Sequence, residues 1–159
     1  MKKHHWWILS GATVLVVVAA LVAAAFGLLV YRRHQTEQWR LLAEEAYAQA
    51  RWRDAVAHYS YYLPRMPSDL DALGKYAHAN LQLVEGQTAA LRNAAAAYHQ
   101  MLRYIPDNVE AENRLVELYG KMQSWPTLEY YAREFLVRRP DDVYLMKALA
   151  RALRGTGRK

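Results

Sequence analysis

The side chains that could do chemistry in this chain are six histidines, two adjacent pairs of acids and a scatter of basic residues. Their spacing does not build a reaction centre. His4 and His5 are neighbours, so on a helix their rings diverge by about 100° and cannot face one metal from the same side. His58, His78 and His99 fall in different helical segments, with no cysteine or paired carboxylates at ligand spacing, so no metal site is expected. Glu44-Glu45 and Asp141-Asp142 are also adjacent, which sends the carboxylates of each pair in different directions. No glycine-rich phosphate loop, HExxH or GxSxG occurs. The chain has no cysteine, which excludes disulfides, thiolate ligands and a cysteine nucleophile and fits any redox compartment. Neither a catalytic residue nor a cofactor is expected, and an enzyme is the least favoured function class.

The formal charge of +6 is unevenly spread. Between Gln35 and Asp142 there are 12 basic and 15 acidic residues, whereas from Val143 onward there are five basic residues and no acid. A nucleic-acid partner needs a basic face along a domain, and this mildly acidic stretch with a basic end does not provide one.

Two elements must position whatever surface remains. The first is the uncharged run Ile8–Tyr31, ILSGATVLVVVAALVAAAFGLLVY. Its 24 residues reach about 36 Å as a helix, enough to cross a hydrocarbon core of about 30 Å with some tilt. Trp6, Trp7 and Tyr31 flank it at interfacial positions, with Lys2 and Lys3 on one side and Arg32 and Arg33 on the other. The alternative is a cleaved signal peptide ending near Ala23-Ala24-Ala25. The run exceeds the usual apolar core of such peptides and continues through Phe26–Val30, which favours an uncleaved anchor. Ala19, Ala23 and Gly27 recur every four residues, a stripe that lets another membrane helix approach closely, although alanine and glycine are common in membrane spans anyway. The basic flanks are nearly balanced. A very short basic N-terminus ahead of a long span favours a single-pass protein of the cell (inner) membrane with the remainder on the periplasmic side.

The second element begins near residue 34, giving an expected division into an N-terminal tail and anchor (1–33) and a helical domain (34–159). Proline punctuates that domain at Pro67, Pro106 and Pro140, in the junctions LPRMPSD, LRYIPDN and LVRRPDD, at intervals of 39 and 34 residues. A proline past a helix end followed by a capping residue is a stop-start signal. Ser68 with Asp71, and Asp107 with Glu110, have capping-box spacing. Internal periods in this range point to a repeat architecture.

The stretch WRLLAEEAYAQARWRDAVAHYSYYLPRMP resembles a tetratricopeptide repeat. Trp39, Leu42 and Ala43 match the first-helix pattern, Trp52 the aromatic in the turn, and Ala55, Tyr59 and Pro67 the second-helix pattern. A second unit keeps Ala77, Ala94, Tyr98 and Pro106, with about five extra residues around Val84–Thr88, where a longer turn or lengthened second helix is expected. A third keeps Leu115, Tyr119, Trp125 and Pro140 but has Leu128 for the usual alanine and Ala132 for the usual aromatic. Pro126 is tolerable one residue into a helix opened by Ser124 and Trp125. The resemblance, over roughly residues 36–153, implies an all-α fold: a transmembrane helix, then an α-solenoid of about three helix pairs (units near 36–69, 70–108 and 109–142) and a last helix, 143–153. That helix is either a polar terminal cap, with Arg151 and Arg154 outward, or the first half of a fourth repeat.

The resemblance also implies where a partner would sit. The concave face of such arrays is lined by first helices, which here place Arg40, Glu44 and Tyr47, then His78 and Gln82, then Asn113, Glu117 and Lys121, and finally Lys147 and Arg151 on the inward stripe. Members that bind chaperone tails hold a carboxylate with a lysine-asparagine clamp. Arg40 and Glu44 stand at its first two positions, and the acid would repel such a tail. The expected function is a membrane-anchored scaffold or adaptor of bacterial type for a protein or peptide partner, serving as an accessory subunit of a larger complex. The alternative is the anchoring N-terminal part of a longer repeat protein with an effector region beyond Lys159. The partners expected are that protein, the lipid bilayer and another membrane helix, and no nucleic acid. Oligomeric state is left open.

Overall fold

A computed structural model describes residues 4–83 and 88–157, with side chains from Val17 onward except Leu29. Among the described residues all regular structure is helical: α1 (His4–Ala48), α2 (Trp52–Tyr62), α3 (Leu70–Gln82), α4 (Thr88–Tyr104), α5 (Val109–Lys121), α6 (Trp125–Arg138) and α7 (Val143–Gly155).

Helix α1 runs unbroken for 45 residues, about 67 Å, so residue 33 lies inside it rather than at a joint. Nothing from Arg32 to Gln38 interrupts a helix: there is no glycine or proline. The Thr36 hydroxyl instead donates back to the Arg32 carbonyl at 2.8 Å. The described side chains between Val17 and Val30 are exposed, and no other element covers them. By length and composition α1 is the one described helix able to cross a membrane. Further along, Thr36, Ala43 and Ala46 are buried on one stripe against α2.

Each expected proline junction forms the same turn. The amide of Asp69 bonds the Met66 carbonyl, that of Asn108 the Ile105 carbonyl and that of Asp142 the Arg139 carbonyl, all at 3.2 Å, with proline second in the four-residue turn. The turn consumes Ser68 and Asp107, so the caps fall one residue later than the capping-box spacing suggested. Asp69 accepts from the amide of Ala72, Asn108 from Ala111, and Asp142 from Tyr144 and Leu145. The turn within the first and third pairs has its own signature. Ala50 and Gln123 take positive φ (54° and 53°), and the next amides, Arg51 and Ser124, reach back to the Ala46 and Tyr119 carbonyls. This is a left-handed helix end of the Schellman type without glycine. Pro126 sits in the first turn of α6, as expected. The turn expected around Val84–Thr88 lies at residues 84–87, outside the described residues. The helix after it, α4, has 17 residues against 13 in α3.

Small residues set the helix spacing. Ala43, Ala46, Ala55, Ala72, Ala77, Ala79 and Ala94 are buried, and Tyr59, Tyr62 and Tyr98 fill the space between successive helices. A buried Leu115 or Phe135 contributes about 2 kcal/mol by removal from water. The adjacent tyrosines divide: Tyr62 is buried beside exposed Tyr61, and Tyr131 is half-buried beside exposed Tyr130. In the third pair, buried Leu128 abuts Gly120 of α5, so leucine and glycine replace the usual small contact. Ala132 is fully buried, and α6 packs more extensively on α7 than on α5. Helix α7 runs to Gly155, two residues past the expected end.

Candidate functional site

The ten expected contact residues all lie on first helices, in two groups. In the first group, α1 faces α3. Arg40 pairs with Asp69 at 3.8 Å. Glu44 accepts from Lys75 at 2.7 Å and from the Tyr59 hydroxyl at 3.0 Å. Burial, and then the charge and hydrogen bond of Glu44, push the Tyr59 hydroxyl well above its ordinary pKa. Tyr62 is pushed up to about 12, first by burial and then by its hydrogen bond to Asp69. Burial alone would raise the Asp69 carboxyl, but the Tyr62 hydroxyl, the Ala72 amide and Arg40 together hold it below the usual carboxylate range.

One turn further along, the Tyr47 hydroxyl lies 2.9 Å from Nδ1 of His78, whose Nε2 lies 3.1 Å from Gln82. Trp52 stands edge-on to both the Tyr47 and His78 rings, at 5.5 Å from each. His78 and Gln82 are exposed, so this patch offers an aromatic floor with an imidazole and an amide at its rim.

Four of the second group, Glu117, Lys121, Lys147 and Arg151, line one cleft of about 370 Å³ between α5 and α7, over Val116, Leu128 and Ala148. Glu117 is held by Lys121 at 2.7 Å and Arg114 at 3.2 Å. Lys121 first, then Arg114, keep its carboxyl below the usual range despite burial. Lys147 and Arg151 have no acidic partner among the described residues. The Arg151 guanidinium instead lies over the Trp125 ring at 5.5 Å, next to Gly120, where a larger side chain would crowd it. Asn113 is occupied: its side chain accepts from Arg139 at 3.3 Å and its carbonyl from the Tyr144 hydroxyl at 3.3 Å. No hydrogen bond or ion pair joins the two groups among the described residues.

Two participants escaped the sequence reading. Lys75 neutralises Glu44, and Tyr144 walls the cleft. Each lies three residues before an expected contact, His78 or Lys147, and so on the same helix face; the i, i+3 spacing was the available signal. Ala19 and Ala23 lie on the exposed part of α1, and nothing stands within 4 Å of a side chain built at Gly27. No cluster of three or more histidine, aspartate or glutamate residues that could hold a metal occurs among the described residues.

No model of a known protein family matches the sequence, and no curated protein matches it. Solved structures do match the fold. A MamA RS-1 ArsTM double mutant superposes with a TM-score of 0.55 at 14% identity, over 77% of this chain and 66%, just under two thirds, of that one. The TPR domain of Arabidopsis OM64 superposes with a TM-score of 0.51 at 18% identity, over 76% of this chain and 96% of that one. With the three proline-centred junctions and the alternating helix pairs, these likenesses give the chain a tetratricopeptide-like α-solenoid fold.

Proposed function

We propose that this chain is a single-span membrane scaffold whose repeats hold a protein or peptide partner close to the bilayer. One observation carries the reading: α1, by length and composition able to cross a membrane, passes without a break from the uncovered side chains described between Val17 and Val30 into the buried stripe of the first repeat. A continuous helix between anchor and array has no flexible joint, so it would fix the orientation of the solenoid to the membrane. The cleft between α5 and α7 supports the choice of partner. It gathers Lys121, Lys147 and Arg151 around a single carboxylate, Glu117, over an apolar floor. Such a surface suits an acidic segment with an aliphatic or aromatic anchor. Service as an accessory subunit of a larger complex, in the inner membrane with the repeats on the periplasmic side, belongs to the same reading.

Carbonate washing tests the anchor: the full chain should stay in the membrane pellet, and retention of a chain lacking residues 1–33 would refute a span there. A reporter active only in the cytoplasm, fused after Leu153, should be silent. Lys147→Glu should release a co-purifying partner, whereas Ala55→Leu should chiefly lower the melting temperature by overpacking a fully buried site, at about 1–3 kcal/mol. If bulky substitutions along Ala19, Ala23 and Gly27 abolish capture and Lys147→Glu does not, the contact is made inside the membrane.

A further inference from the structure

Helix α2 runs back antiparallel to α1, so the α2–α3 turn returns beside the end of the apolar stretch. Between them lies an open cleft of about 800 Å³. Its α1 wall carries Leu28, Arg32, Arg33 and Glu37, and the returning turn contributes Arg65 and Met66. The three arginines are exposed and have no ion-pair partner among the described residues; Arg65 only donates to the Tyr61 carbonyl at 2.5 Å. Three guanidinium groups against one carboxylate leave a local excess of two positive charges. Leu28 and Met66 meanwhile present exposed apolar side chains to the same space. A ligand that satisfies both walls has an anionic head and a hydrocarbon tail.

We propose that this cleft binds the headgroup of an anionic phospholipid. The phosphate lies between Arg32, Arg33 and Arg65, and an acyl chain runs down past Leu28 along the uncovered apolar part of α1. The inference rests on the reading that α1 crosses the bilayer, because only then does the cleft sit at headgroup depth. The arginines supply attraction that an anionic leaflet rewards by about 1 kcal/mol per basic residue near its surface. Guanidinium forks match phosphate oxygens two at a time. Arg65 separates this site from an ordinary basic flank: it lies more than thirty residues along the chain from Arg32 and reaches the cleft only through the fold. By pinning the α2–α3 turn to the membrane surface, the lipid would add a second point of attachment for the array.

The full chain, equilibrated in mixed micelles of phosphatidylglycerol and phosphatidylcholine, should retain phosphatidylglycerol preferentially when examined by native mass spectrometry. Arg65→Gln should cut that retention about fivefold, the equivalent of ~1 kcal/mol, while Arg53→Gln at the opposite end of α2 leaves it unchanged. Glu37→Gln should increase retention by removing the one opposing carboxylate, a gain that a damaged fold would not produce. Equal retention of the two lipids, or an unchanged Arg65→Gln together with an unchanged Glu37→Gln, overturns the proposal. Displacement of the lipid by inorganic phosphate at comparable concentration also overturns it, in favour of a free-anion site. Carbonate extraction separates the two failures. A chain released by the wash refutes the span, and a chain that stays embedded without lipid preference refutes the headgroup site alone.

Discussion

Glu112, only 1% exposed on α5, is held by Arg139 just beyond α6 at 2.6 Å. Its other carboxylate oxygen pairs with Arg138, and Arg139 continues to Asp142, the cap of α7, at 2.7 Å. One acid thus ties three helices together; removing it leaves Arg138 without an acidic partner among the described residues and Arg139 with Asp142 and Asn113. Glu112→Ala should cost roughly 3 kcal/mol, the lower end for a broken buried pair because both arginines are partly exposed. Arg138→Ala should cost less, about 1 kcal/mol, since Arg139 still holds the acid. Thermal melts of the full chain in detergent decide it, and equal small losses for both variants would contradict this account.

His99 lies 2.7 Å from the Tyr119 hydroxyl and packs against the Tyr131 ring at 5.0 Å. Burial lowers its pKa, and the opposing influence of Glu134 is smaller. The folded state therefore binds the proton less readily than the unfolded chain. Stability is full above the unfolded value of about 6.5 and falls as the pH drops from there towards the lower folded value. Melting temperature should decline across that window, and His99→Gln should flatten the decline. A wild-type melt independent of pH from 7 to 5 would refute it.

A side chain at Gly155 would run into the Trp125 indole at the start of α6. Alanine gains about 1 kcal/mol of helix propensity over glycine, but overpacking a rigid ring costs about 1–3 kcal/mol. The clash should win, so Gly155→Ala lowers the melting temperature. Adding Trp125→Leu should restore part of the loss, a coupling measurable as a double-mutant cycle.

Ala50 and Gln123 occupy left-handed positions that cost an L-residue about 1 kcal/mol or more. Ala50→Gly and Gln123→Gly should each stabilise the fold by about 0.5 kcal/mol, the relief of strain exceeding glycine's larger loss of freedom on folding. Urea unfolding of the full chain in detergent measures the shift in midpoint. A lower midpoint for both would mean that their side chains contribute packing that the turn geometry does not reveal.

The sequence by itself determined what neighbours within one or two turns can encode. The uncharged run that lies within α1, the three prolines in the turns that lead into α3, α5 and α7, and the alanines that let helices close up were all legible. The family resemblance placed the expected contact residues on first helices, where the structure has them, and a 3.6-residue period says which side chains of one helix share a face. The caps were misplaced by one residue because a four-residue turn around each proline forms before the helix can start. Only the tertiary structure decided which charges meet. Lys75 reaches Glu44 across 31 residues, Lys147 and Arg151 come to line one cleft with Glu117, and Arg65 comes to line another with Arg32. It also decided that Leu128 rests on Gly120 while α6 leans towards α7. Such pairings depend on the register between packed helices. That register is set by the volumes of many side chains at once, and no local pattern along the chain records it.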